Sequence, residues 1–295
     1  MVSDGEPVII PQGKRWLTLG CWAALLAACS PSQQQPIAAC LPSPFRSART
    51  LIIAHASGDW FGPPNSIEML AGSLKAGADL IDLDIRVTAD GALVGAHDDQ
   101  LANQKISQTT LAELRRVDLR DTWANPGRRS LVTPVRIATV DEVLAAFPTQ
   151  RLSLEFKTTG GEQALCDILD RTGRAGDVYV SSAGDAAVDR FKQVCPRVAT
   201  TVTDAMVPVM FAARENNQPW CASVPIGQPP LSAGSGDTAF RLNAEGVRWE
   251  QAHGLAVYTW TADDDSSLQY VKTLGVDAVY TARADRAKAI LNPDQ

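Results

Sequence analysis

From residue 51 onward, eight short apolar runs alternate with stretches that read as helices, and this alternation constrains the fold more than any other feature of the chain. The runs are LIIA 51–54, LIDLDIRV 80–87, RLSLEF 151–156, DVYVS 177–181, VATTV 198–202, CASVP 221–225, LAVYTW 255–260 and DAVYT 277–281. Several are rich in β-branched or aromatic residues and bounded by turn formers, which marks them as strands. Between them lie helix signals. NSIEMLAGSLKAG begins on cap-type residues, carries apolar positions at helical spacing and ends on Gly77. Thr110 with Glu113, and Thr139 with Glu142, each have the spacing of a capping box. Strands alternating with helices imply a parallel sheet, and eight repeats imply a closed (β/α)8 TIM barrel, with a doubly wound open sheet as the alternative. Residues 226–240, rich in Gly, Pro and Ser, read as a long surface loop.

The first 28 residues do not belong to this pattern. Lys14 and Arg15 precede the apolar run Trp16–Ala28, which is too short to span a bilayer, and Cys29 follows at once. This order reads as an export signal. The junction LAAC at 26–29 resembles the bacterial lipoprotein signal, in which the cysteine becomes the lipidated N-terminus. The expected organisation is therefore a signal peptide at 1–28, a flexible tether at 29–48 and a barrel domain at 49–295, anchored to the cell envelope through Cys29. The formal net charge of −6 carries no basic stripe, which argues against a nucleic-acid partner. Four further cysteines, Cys40, Cys166, Cys195 and Cys221, fit no zinc spacing, and their pairing cannot be read from the sequence.

One segment carries most of the chemistry. In LIDLDIRVTADGALVGAHDD, residues 80–99, Asp90-Gly91 between two apolar runs is a hairpin signal. With those two as the turn, facing residues sum to 181, so Asp84 is expected opposite His97. Asp82 and Asp84 share one face of their strand, because side chains alternate. Carboxylates inside an apolar run stay ionised only when paired or metal-bound. Glu155 lies near the end of another apolar strand, with Lys157 just beyond. Three carboxylates at strand ends suit a hard divalent cation, Mg²⁺ or Ca²⁺. His55 ends the first strand, at the face where barrel active sites form. Two histidines, three carboxylates and one lysine point to metal-assisted phosphoryl chemistry.

These residues carry a resemblance. From residue 51 to about 286 the chain resembles the glycerophosphodiester phosphodiesterase family. AHASG 54–58 stands where the family has a His-Arg-Gly-Gly element, and PPNSIEML 63–70 where it has Pro-Glu-Asn-Thr. GADLIDLDIRVTADGALVGAHD matches the metal and second-histidine motif; TPVRIATVDEVL, LSLEFK, VYTWT and LGVDAVYT follow in order. The resemblance implies a barrel with a small insertion after the second strand, and cleavage of glycerophosphodiesters to glycerol 3-phosphate and an alcohol with a bound divalent cation. It makes His55 and His97 the acid–base pair, Asp82, Asp84 and Glu155 metal ligands, and Lys157 a phosphate contact. Trp260 either walls the substrate pocket or packs in the barrel core. Two departures stand out: Ala56 replaces the family's arginine, and Asp82 its usual glutamate, each expected to weaken binding.

Other readings stay open: a non-catalytic envelope protein that binds phosphodiesters, or the same chemistry on a phospholipid headgroup. His253 reads as a helix C-terminal residue that favours the dipole. SAGSG at 232–236 is not a nucleophile elbow, and the chain has no P-loop or dinucleotide fingerprint.

Overall fold

A computed structural model of the chain describes residues 40–124, 131–182, 184–235 and 240–294. In chain order the strands are β1 (Leu51–Ala54), β2 (Leu80–Val87), β3 (Leu93–Gly95), β4 (Leu152–Phe156), β5 (Val178–Ser182), β6 (Ala199–Thr200), β7 (Ile226–Gly227), β8 (Ser232–Ala233), β9 (Phe240–Arg241), β10 (Ala256–Thr259) and β11 (Ala278–Thr281). The helices are α1 (Ile67–Ala76), α2 (Leu111–Leu114), α3 (Val140–Ala146), α4 (Glu162–Thr172), α5 (Asp185–Val194), α6 (Met206–Glu215), α7 (Ala244–Ala252), α8 (Asp265–Leu274) and α9 (Ala284–Leu291).

Eight parallel strands run in the order β6-β5-β4-β2-β1-β11-β10-β7. A parallel bridge between Thr201 and Ile226 brings the two ends of that order together, and the Val202 N–H donates to the Ile226 carbonyl at 2.8 Å. The sheet is a barrel wrapped by helices, as the alternation predicts, and the open doubly wound alternative is excluded. The insertion follows β2: antiparallel β3, α2 and the approach to α3.

Strand parity explains the layering. Ile52 and Ala54 of β1, Ile81, Leu83 and Ile85 of β2, and Leu152, Leu154 and Phe156 of β4 face the helices. The alternate residues Ile53, Leu80, Tyr179, Ile226, Ala256, Tyr258, Ala278 and Tyr280 fill the barrel. Continuing that parity, His55, Asp82, Asp84, Glu155 and Lys157 all occupy inward positions, His55, Glu155 and Lys157 at the C-terminal ends of β1 and β4, and Asp82 and Asp84 within β2, level with Ser153 and Glu155. Both predicted capping boxes form, at Thr110/Glu113 and Thr139/Glu142. Gly77 closes α1 in the left-handed conformation that suits glycine.

Three expectations are corrected. The sixth strand is not at 221–225 but at β7, inside the segment read as a loop, which also contains β8 paired with β9. Two-residue strands carry no periodicity of their own; β7 exists because β10 and Thr201 offer it partners. The β2–β3 hairpin pairs Ile85 with Gly95, Arg86 with Val94 and Val87 with Leu93, so facing residues sum to 180 rather than 181. The loop is one residue longer than predicted: the Thr88 N–H donates to the Ala92 carbonyl, and Gly91 takes φ +83°. The residue level with Asp84 is therefore Ala96, whose N–H donates to the Asp84 carbonyl at 3.0 Å, and His97 lies one step further on.

The tether read as 29–48 is fixed to the barrel from Cys40 onward. Cys40 is disulfide-bonded to Cys221, and Phe45 packs edge-on to Tyr179. A second disulfide joins Cys166 on α4 to Cys195 at the end of α5. The signal peptide and Cys29 lie outside the described residues.

Candidate active site

At the end of β1, the His55 N–H donates to the Thr281 carbonyl of β11 at 3.1 Å, which fixes the backbone where the strand turns off. The imidazole is largely buried, edge-on to the Tyr280 ring at 6.5 Å. Burial lowers the His55 pKa, and Asp84, Asp263 and Glu155 nearby only partly oppose it. His55 is thus held in the neutral form that can accept a proton. His97 is half exposed, with Nδ1 2.9 Å from Asp98 Oδ1. Despite the shifted register, His55 and His97 line one cavity of about 460 Å³, together with Ser57, Asn65 and Gln100.

Near His55 lies a compact ionic group. Lys157 Nζ is 2.6 Å from Glu155 Oε1 and 3.1 Å from Asp84 Oδ1. This follows from register, because β4 places Glu155 directly beside Asp84 of β2. Burial works against the lysine's charge, but the two carboxylates more than offset it and raise its pKa. Asp84 Oδ2 also accepts from Ser57 Oγ at 3.1 Å and Asn65 Nδ2 at 2.8 Å, and Asn65 Oδ1 accepts from the Asp84 N–H at 2.9 Å. No motif in the sequence analysis gives Asn65 or Ser57 a role. Asn65 carried a signal: an asparagine after two prolines suits a left-handed turn, and it adopts φ +60°.

Asp82 sits deeper. Its Oδ2 accepts the Ala56 N–H at 3.2 Å, while Oδ1 is buried with no hydrogen-bond partner. Burial, then Asp84 and Glu155, push its pKa well above the usual carboxylate range. Asp84, Glu155 and Lys157 leave one negative charge, ionisation of Asp82 on a bound cation would make it two, and the orphaned Oδ1 adds a buried acceptor without a donor. The donor set therefore fits a hard divalent cation in charge and ligand chemistry. The side chains are not closed around such an ion: among the described residues, no three acidic, histidine or cysteine groups converge at ligand spacing.

Position 56 carries a fully buried alanine and so offers no guanidinium to the cavity. Trp260 is neither in the histidine cavity nor in the barrel core. It is 47% exposed, its indole N–H donates to the Gln228 carbonyl at 2.8 Å, and it borders a separate cavity of about 510 Å³ between α6 and α7. His253 caps α7 as expected, stacked on Trp249 at 3.9 Å.

A parallel barrel with histidine, carboxylate and lysine side chains gathered toward one face is the arrangement of a barrel enzyme. The chain belongs to the glycerophosphoryl diester phosphodiesterase family, whose model matches residues 56–286. It is 24% identical over 260 residues to a glycerophosphodiester phosphodiesterase of Bacillus subtilis, covering 80% of this chain and 85% of the relative. It is 27% identical over 259 residues to one from Bacillus altitudinis, covering 82% and 98%. The crystal structure of an Oleispira antarctica phosphodiesterase, in complex with the product sn-glycerol-3-phosphate, shares the fold with a TM-score of 0.62 at 19% identity, covering 83% of this chain and 97% of that one.

Proposed function

We propose that this protein hydrolyses glycerophosphodiesters to glycerol 3-phosphate and an alcohol, with His55 and His97 as the acid–base pair. The observation that carries the reading is the placement of both histidines on one cavity, with the Asp84–Lys157–Glu155 group close enough to His55 to act on its charge. His55, neutral through burial, takes the proton of the attacking hydroxyl, either a water or the neighbouring hydroxyl of the glycerol, in which case a water then opens the cyclic phosphate to glycerol 3-phosphate. His97, held at Nδ1 by Asp98, delivers a proton to the departing alcohol oxygen. Ser57 and Asn65 hold Asp84 in place, and Lys157 offsets the charge brought by the phosphodiester. A divalent cation held by Asp82, Asp84 and Glu155 would supply further charge neutralisation at the phosphate.

The test is turnover of glycerophosphocholine and bis(p-nitrophenyl) phosphate, with and without EDTA, across a Mg²⁺ and Ca²⁺ series. Activity indifferent to the chelator and to His55→Ala would overturn the reading. Binding without turnover would favour a non-catalytic envelope protein instead.

The same proposal places the protein in the cell envelope of a bacterium, exported and lipid-anchored through Cys29. The charge order of residues 14–29 supports this, as do two disulfides, which persist in oxidising compartments.

A further inference from the structure

The cavity of about 510 Å³ between α6 and α7 shares no lining residue with the histidine cavity, and its size is that of a small-molecule site. Phe211, Phe240, Trp249 and Trp260 give it aromatic walls, and Met210 and Leu242 aliphatic ones. Trp249 is fixed in a stack, with the Trp220 ring at 5.7 Å and His253 at 3.9 Å. At the rim, Phe211 and Trp260 leave apolar surface open to water.

Strand β7 explains why one carboxyl reaches this lining. Ile226 fills the barrel, so Gly227 faces the helices, where a Cβ would lie 2.7 Å from Glu250 Oε2. Only glycine lets the Glu250 carboxyl lie there. Glu250 is 8% exposed, and among the described residues its carboxyl accepts no hydrogen bond. Arg214 from α6 is the charged group that acts on it, and that guanidinium is already engaged, with Nη2 donating to Glu245 Oε1 at 3.0 Å. Asp204 is the remaining charged residue of the lining. Two carboxylates therefore face one guanidinium that is shared with a third, and the ionised cavity carries an excess of negative charge. A buried carboxylate without a donor is costly, and a ligand that brings both a donor and a positive charge removes that cost.

We propose that this cavity is a second binding site, separate from the histidines, for a small apolar primary amine bound as its ammonium. The ammonium N–H groups donate to Glu250, and the apolar body lies between the aromatic walls, whose ring faces attract a cation. An alcohol of the same shape supplies a donor but leaves the carboxylate charge unbalanced. A carboxylate of the same shape meets Asp204 and Glu250 as like charges.

The test is isothermal titration calorimetry at pH 8 with octylamine, octan-1-ol and octanoate as probes. Burial holds the Glu250 pKa at about 7, so the group is ionised at that pH while an alkylamine is still protonated. Octylamine is expected to bind about tenfold or more tightly than either of the other two, and to raise the Tm of the wild type. Glu250→Gln keeps the volume and removes the charge, so its preference for amine over alcohol should shrink to about threefold or less. His97→Ala should bind octylamine as the wild type does, and glycerol 3-phosphate should not displace it. Absence of octylamine binding, equal affinity for octylamine and octan-1-ol, a preference retained in Glu250→Gln, or displacement by glycerol 3-phosphate overturns the proposal. The amine–alcohol comparison on the wild type holds whatever the variant's stability, and none of these readings depends on turnover.

Discussion

At the scale of single residues, the site depends on side chains that hold other side chains. Asn65 binds Asp84 at two points while occupying a left-handed conformation that most residues resist. Asn65→Ala is expected to lose about 2–3 kcal/mol of stability, through the released Asp84 contacts and the strained backbone, and to lower turnover as Asp84 is freed. Denaturant titration and steady-state kinetics read the two effects. His97→Ala should cost turnover by about 10²–10⁴-fold with little change in Tm, because the ring is half exposed and its side-chain contact is with the adjacent Asp98. His55 makes stability depend on pH. Its folded pKa lies below the ordinary 6.5, so the unfolded chain binds the extra proton first on acidification. Its contribution to stability is complete above 6.5 and declines as pH falls from there toward the folded value. Activity should fall on its acid side below 6.5, and His55→Gln should flatten that part of the stability profile.

At the scale of elements, packing decides what local pattern leaves open. Glu250 of α7 is 8% exposed and lies against Gly227 of β7, where a Cβ would meet Oε2 at 2.7 Å. Burial raises its pKa to about 7, with Arg214 only partly opposing. The folded state therefore holds the proton between about 4.5 and 7, and stability declines as pH rises through that window. Glu250→Gln should stabilise the protein at pH 8 by about 2–3 kcal/mol relative to the wild type and change little at pH 4, as read by thermal melts at both values. The capping boxes illustrate the opposite case. Thr139 and Glu142 are three residues apart and satisfy each other's backbone donors, so the start of α3 is readable from four letters. The hairpin lies between these cases. Asp90-Gly91 correctly marks a turn, yet the loop length, and with it the register, is set by the Thr88–Ala92 bond and the bridge from Val94 to Thr139.

For the whole molecule, two disulfides act at different places. Cys166–Cys195 closes a separation of 29 residues between adjacent helices, and replacing both cysteines by serine should cost about 3–4 kcal/mol, measured as a lowered denaturant midpoint. Cys40–Cys221 spans 181 residues and ties the entering chain to the barrel.

The sequence alone determined the barrel, most of its strands, the shared face of Asp82 and Asp84, and the positions of His55, Glu155 and Lys157 at strand ends. These rest on local periodicity, and alternation along a strand needs no distant partner. It could not determine the cysteine pairing, the position of β7, the hairpin register or the partners of Asp84. Each of those depends on atoms brought together from far along the chain, where the outcome is set by which donors and neighbours the closed barrel presents. Only the tertiary structure put His97 on the cavity of His55 in spite of its register, and left Asp82 with an unpaired oxygen in the barrel interior.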